Sequence, residues 1–310
     1  MKKWRSLPIL ALVVALVSPQ CGAVSQRAIP DDNLAYPVLI NVGNGSSGSG
    51  FFLKTSDSVY LVTAKHVLFN TSNQLLSPNL DLLSYSKDPA DLTKNRFTID
   101  LTILQMSGDV KPHPTQDVAV VRLFRFAPQP APIPAVQSGV APATQPSVPP
   151  AIQPGEASGP QMMFPLPGVT VQNMSPLGTV GVALESIKTF DQVLAGNEVV
   201  LFGFPSSLAL QALQQLDPTR PLLRKGIVAG TNPDKKSIIL DCPSYPGNSG
   251  GPVLEIDHDG FQIKLRIIGV VNQFVPFIQT GGSQTFAMQI ASNSGYSIIT
   301  PMDFVLELTH

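Results

Sequence analysis

The chain has 310 residues, a formal net charge of −1, and 13% charged against 43% hydrophobic residues. A balance this even gives no electrostatic footprint for nucleic acid or an anionic membrane surface, both of which call for basic clusters. The length suffices for one large or two ordinary cores, and the 30 prolines are clustered rather than spread.

The N-terminus reads MKKWRSLPILALVVALVSPQCGAVSQ. Lys2, Lys3 and Arg5 form a positive start, and Leu7 to Val17 an apolar run of the length found in secretory signals. The run is too short for a membrane span, which needs roughly 20 apolar residues. Small residues around Ala23 predict cleavage there, hence a signal peptide over 1–23, export to the periplasm or medium, and no transmembrane span in the mature chain. A lipid anchor at Cys21 is the alternative, but Ser18, Pro19 and Gln20 do not fit the residues that precede a lipoprotein cysteine. With Cys21 removed, Cys242 is left alone, so no internal disulfide forms and the core must hold the fold. Cys242 follows the apolar run SIILD, which favours a buried structural thiol over a nucleophile.

Residues 36–126 contain YPVLINV, GFFLKT, VYLVTAKHVLF, RFTIDLTILQM and DVAVVRLFRF, all strand-like and rich in branched and aromatic residues. No long helical period interrupts them, which argues for a sandwich or barrel. Residues 127–168 then change character: proline recurs so often that neither helix nor central strand can persist. This proline-rich segment reads as a linker or insert, with recruitment of a partner as the alternative. From 169 the strand pattern returns in VGVALESI, EVVLFGFP, LRKGIVAG, KSIILDC, GPVLEI, FQIKLRIIGVVNQF, TFAMQI and YSIITP. SSLALQALQQLD (206–217) reads as a short helix and MDFVLELT as a closing one. DHDG (257–260) suggests a hairpin turn more than a metal site, because three adjacent side chains do not converge easily.

Ser249, in SYPGNSGGPVLE, is the candidate nucleophile, and a serine hydroxyl needs a base. Of four histidines, His310 is terminal, His113 lies between prolines and His258 in the DHDG turn, which leaves His66 at the end of VYLVTAKHVLF. Asp117, at the head of the strand DVAVVRL, could orient the imidazole. Taken singly, Ser249 reads as a turn residue, His66 as structural and Asp117 as a solvated strand start.

Together, His66 in TAKH, Asp117 in DVAVV and Ser249 in GNSGGP, in that order, resemble the trypsin-like (chymotrypsin-fold) serine peptidases. The likeness is greatest to their bacterial envelope, high-temperature-requirement branch. GSGFFL, NEVVLFGFP, GIVAG and GYSIITPMDFVLEL extend the resemblance from about residue 36 to 308, apart from the proline-rich insert. It implies an all-β fold of two antiparallel six-stranded β-barrels, over 36–126 and 169–310, with a short C-terminal helix and the active site between them. It further implies Ser249 as nucleophile, His66 as base and then acid, and Asp117 as orienting carboxylate. The backbone N–H groups of Gly247 and Ser249 would form the oxyanion hole, with no metal or organic cofactor.

Asn248 before the nucleophile replaces the aspartate of the digestive members, which argues against activation by a freed N-terminus. With the resemblance running to about residue 308, no peptide-binding module is expected after the peptidase region. By similarity, the primary pocket would have Pro243 at its floor and Asn272, Gln273 and Phe274 as the substrate-pairing strand. These carry no charge and predict cleavage after small or medium apolar residues. The expected partner is a peptide or unfolded protein, with no nucleic acid. Two other readings stand beside the peptidase: a catalytically silent domain binding extended peptides by strand addition, and a structural envelope protein recruiting a partner through its prolines.

Overall fold

The computed structural model describes residue 29 and residues 34–127, 162–206, 213–259, 262–283 and 286–309. The expected signal peptide, Cys21, most of the proline-rich segment, the core of the helix expected at 206–217, and His310 lie outside these residues.

The first module is one ten-stranded sheet built from β1 (Pro37–Val42), β2 (Ser47–Lys54), β3 (Ser58–Thr63), β4 (Asn79–Tyr85), β5 (Lys94–Asp100), β6 (Val110–Pro112), β7 (Ala119–Phe126), β8 (Met163–Pro165), β9 (Val169–Asn173) and β10 (Gly181–Ala183). Its order is β6-β7-β3-β2-β1-β4-β5-β9, with β8 on β7 and β10 parallel on β2. Strands β8–β10, which follow the proline-rich segment, therefore complete the first sheet. The boundary expected at 169 falls later, between β10 and the next strand. Three short strands carry no mark in sequence of which sheet edge they will meet. Alternation buries Phe52, Leu61, Leu82, Phe97 and Val121 in one core, where Phe97 meets Phe52 and Phe124 edge-on.

The second module is a closed barrel of β11 (Glu198–Gly203), β12 (Leu222–Asn232), β13 (Ser237–Asp241), β14 (Pro252–Asp259), β15 (Gln262–Ser283) and β16 (Phe286–Pro301), ordered β11-β12-β13-β16-β15-β14. The all-β class and the six-stranded second barrel agree with expectation; the first sheet carries more strands and its path stays open. The β14–β15 connection is the expected hairpin, with Asp259 opposite Gln262. Asp257 there is engaged by Lys188 and Arg266. Cys242 is fully buried in the barrel core, and burial pushes its thiol up to about 11.

Among the described residues the α-helices are short: α1 (Lys65–Leu68), α2 (Leu101–Met106) and α3 (Met302–Leu308), the last as expected. The run RFTIDLTILQM, expected as one strand, divides into β5 and α2 at Asp100. The Asp100 carboxylate accepts the N–H groups of Thr102 and Ile103 and so caps the helix. No helix among the described residues is long and apolar enough to cross a membrane.

Candidate active site

The two modules meet at Ser49 on β2. Its N–H donates to the Ser249 carbonyl at 2.8 Å, its hydroxyl donates to the Gly247 carbonyl at 2.6 Å, and that hydroxyl accepts the Phe204 N–H at 3.0 Å. Thr63 Oγ1 donates to the Ser49 carbonyl at 2.7 Å. A fully buried hydroxyl satisfied as donor and acceptor is a rigid pin. Sequence reading passed over Ser49; the only signal was its place in GSGFFL.

His66 stands half exposed on α1, a single turn that follows β3. Asp117 lies just before β7, the neighbour of β3 in the sheet. Asp117 Oδ1 accepts the His66 backbone N–H at 2.9 Å, and Oδ2 lies 2.6 Å from His66 Nδ1. The carboxylate thus fixes backbone and ring together. It selects the tautomer with the proton on Nδ1 and leaves Nε2 as an acceptor.

The Asp117 loop is itself anchored. His113 is buried; its Nδ1 accepts the N–H groups of Thr115 and Gln116 at 3.2 and 3.0 Å. Its Nε2 therefore carries the proton and donates to Glu307 on α3 at 3.1 Å. His113, read in sequence only as a residue between prolines, is a bracket between that loop and the C-terminal helix.

Tyr245–Asn248 is a β-turn, closed by the Asn248 N–H on the Tyr245 carbonyl at 2.9 Å. Pro246 and Gly247 occupy its centre, and Gly247 has φ +91°, the type II pattern. A Cβ at Gly247 would run into the Phe204 carbonyl oxygen. The Pro246 carbonyl accepts the Ser206 N–H at 2.8 Å. Because the peptide is planar and trans, the Gly247 N–H points the opposite way. Among the described residues the N–H groups of Gly247 and Ser249 have no acceptor. Unpaired backbone donors of this kind suit an anion or a polarised carbonyl oxygen.

His66, Asp117 and Ser249 line one cleft of about 470 Å³, closed on its other sides by Ser244, Tyr245, Pro246 and Asn272–Phe274. Pro243, expected at its floor, does not line it; Ser244 does. Ser244 is buried and held by Ser297 Oγ at 2.9 Å, while Asn293 Nδ2 donates to its carbonyl at 2.6 Å. Ser249 Oγ is directed at the Asn272 carbonyl, 3.4 Å away, and makes no hydrogen bond to His66 among the described residues.

No family model and no curated protein sequence matches the chain. Among solved structures it is similar to the HtrA-type protease AlgW with tripeptide, at 14% identity and TM-score 0.43 over 90% of this chain. It is also similar to that protease with decapeptide, at 14% and 0.40 over 84%, and to Deg5, at 15% and 0.44 over 89%. The chain spans 62% and 50% of the two AlgW chains and 88% of Deg5. All these scores lie below 0.5, so the architecture rests on the strand pairing described above.

Proposed function

We propose that the chain is an exported serine endopeptidase acting through an acyl-enzyme on Ser249. One observation carries this reading: Asp117 grips His66 at both ring and backbone, in the cleft that Ser249 also lines. In the reaction, the Ser249 hydroxyl rotates from Asn272 toward His66 and attacks the scissile carbonyl. Its proton passes to His66 Nε2, and Asp117 stabilises the imidazolium. The oxyanion receives the N–H groups of Gly247 and Ser249. His66 then protonates the leaving amine, and water, deprotonated by the same imidazole, releases the acyl group. Steps so written need no metal or organic cofactor.

Among the described residues, the cleft walls offer no Lys, Arg, Glu or Asp besides Asp117, which supports a small or medium apolar residue on the acyl side of the cut. We assign the proline-rich residues the role of a spacer inserted between β7 and β8. A silent peptide-binding domain is favoured by one feature alone, the Ser249 hydroxyl resting on Asn272.

The test is intact mass after treatment with a serine-reactive fluorophosphonate, for wild type, Ser249→Ala and His66→Ala. A single adduct lost in both variants is expected. A folded wild-type protein that takes no label overturns the peptidase reading in favour of the silent one.

A further inference from the structure

Strand β15 outruns the barrel. Its first part, to Val270, pairs with β14 on one edge, and from Gly269 onward it pairs with β16 on the other. Val271 marks the change of edge: its N–H donates to the Gly251 carbonyl and its carbonyl accepts the Gly250 N–H. The edge that faces the nucleophile loop is therefore the one β14 has just left. Past that point, among the described residues, no strand pairs with it along Asn272–Ser283. Asn272–Phe274 line the cleft, and Val275–Ser283 continue the same edge for roughly 30 Å at ~3.4 Å per residue.

Beyond the barrel, β15 and β16 form a two-stranded arm, an arrangement that is marginal in water by itself. Register places Phe277 opposite Ser292, Gln279 opposite Ile290 and Gly281 opposite Met288, so Phe277, Ile290 and Met288 share one face. Each is about half exposed, as is Ile278 on the other face. Unpaired backbone and uncovered apolar side chains thus run together from the cleft outward. Pro276 removes at most one donor from this edge.

We infer that the arm is an extended acyl-side substrate site: an unfolded polypeptide adds as a third strand to β15, its first three residues on Asn272–Phe274 and the following ones on Val275–Ser283. The inference rests on the cleft being where peptide binds, as under the proposed function. It selects long, unfolded segments with apolar residues at alternate positions, because those side chains pack beside Phe277 on one face or Ile278 on the other. Folded proteins and short peptides gain nothing from it.

Binding to full-length Ser249→Ala protein tests this without requiring turnover. Fluorescein-labelled peptides (Thr-Val)n-Ala, with n from one to four, are titrated by fluorescence anisotropy. The same titration uses the Ser249→Ala chain carrying Phe277→Asp and Ile278→Asp, and sedimentation gives the size of both proteins. The expected result is a Kd that tightens about tenfold or more from the shortest to the longest peptide, with that gain lost in the charged variant. If the charged variant misfolds, the longest peptide N-methylated at successive residues gives the same answer, since strand pairing predicts weakening at alternate positions. A Kd independent of length, or no binding at any length, overturns the inference. So does a dimer that the charged variant abolishes, because a second copy would then occupy the edge. Fluorophosphonate labelling with flat length dependence removes the arm and leaves the peptidase reading; length-dependent binding without labelling does the reverse.

Discussion

The Ser49 hydroxyl on β2 donates to the Gly247 carbonyl in the second module across 2.6 Å, so the Tyr245–Asn248 turn is fastened to a strand of the other module. Gly247 has φ +91° and could relax by turning its peptides. Ser49 opposes that by holding the carbonyl at one end, while Ser206 holds the Pro246 carbonyl at the other. Ser49→Ala leaves the Phe204 N–H and the Gly247 carbonyl without this partner in a buried place. The loss is about 1–3 kcal/mol for such groups, part of it from the active arrangement of the turn. Fluorophosphonate labelling should slow by about tenfold or more, with a smaller effect in Ser49→Thr. An unchanged labelling rate in Ser49→Ala would mean the turn keeps its shape without the pin.

Asp117→Asn tests the tautomer argument. The asparagine can still accept the His66 backbone N–H, now 2.9 Å from Oδ1, so α1 should stay in place. Its amide group, however, tends to present N–H to Nδ1 and drive the imidazole proton to Nε2, where it cannot accept from Ser249. Losses of about 10⁴ in turnover accompany that change in a well-studied triad. Labelling should fall by a comparable factor with the melting temperature little moved. If Asp117→Asn keeps near-full reactivity while folding normally, the carboxylate is not orienting a base.

The order His66, Asp117, Ser249 was legible because TAKH, DVAVV and GNSGGP, each weak alone, form a recognisable pattern when taken together in that order. Ser49 was not, since a buried serine flanked by glycines in GSGFFL looks like any strand residue until its partners 155 and 198 positions away are known. Helix α2 was missed because its apolar residues continue those of β5; only the Asp100 cap divides them. The return of β8–β10 to the first sheet was hidden for a different reason. Pairing with β7, β5 and β2 is a long-range choice that three short strands do not encode locally. His113 looked like a loop residue because its proline neighbours hid the Glu307 contact, which is set by where α3 packs.

Cys242 should be chemically silent in the native protein. Burial raises its thiol to about 11, so at pH 8 almost none of it is thiolate. The sign for stability follows: the fold favours the neutral thiol, so this contribution is fully present below the unfolded thiol's value, near pH 9. It is lost as pH rises toward 11. Iodoacetamide at pH 8 should leave the native chain unmodified and alkylate it fully in denaturant. The stability of wild type relative to Cys242→Ala should be constant below pH 9 and decline above it. Rapid native alkylation would mean the barrel opens at this point.

Lys188 sets a different balance in the same barrel. Glu255 on β14 is fully buried; its Oε1 takes the Lys188 ammonium at 3.0 Å and the Asn197 amide, while Oε2 has no partner among the described residues. Lys188 also reaches Asp257 Oδ1 at 2.6 Å. Replacing Lys188 by Met keeps the bulk but strands a buried carboxylate, and breaking such a pair from one side costs about 3–5 kcal/mol. Lys188→Met should therefore lower the urea midpoint strongly. Adding Glu255→Gln should recover much of the loss, because the neutral amide is far cheaper to bury than an unpaired charge. If Lys188→Met alone costs under about 1 kcal/mol, water or another cation must reach Glu255. Recovery in the double variant locates the cost in the abandoned charge and not in the packing of the lysine stem.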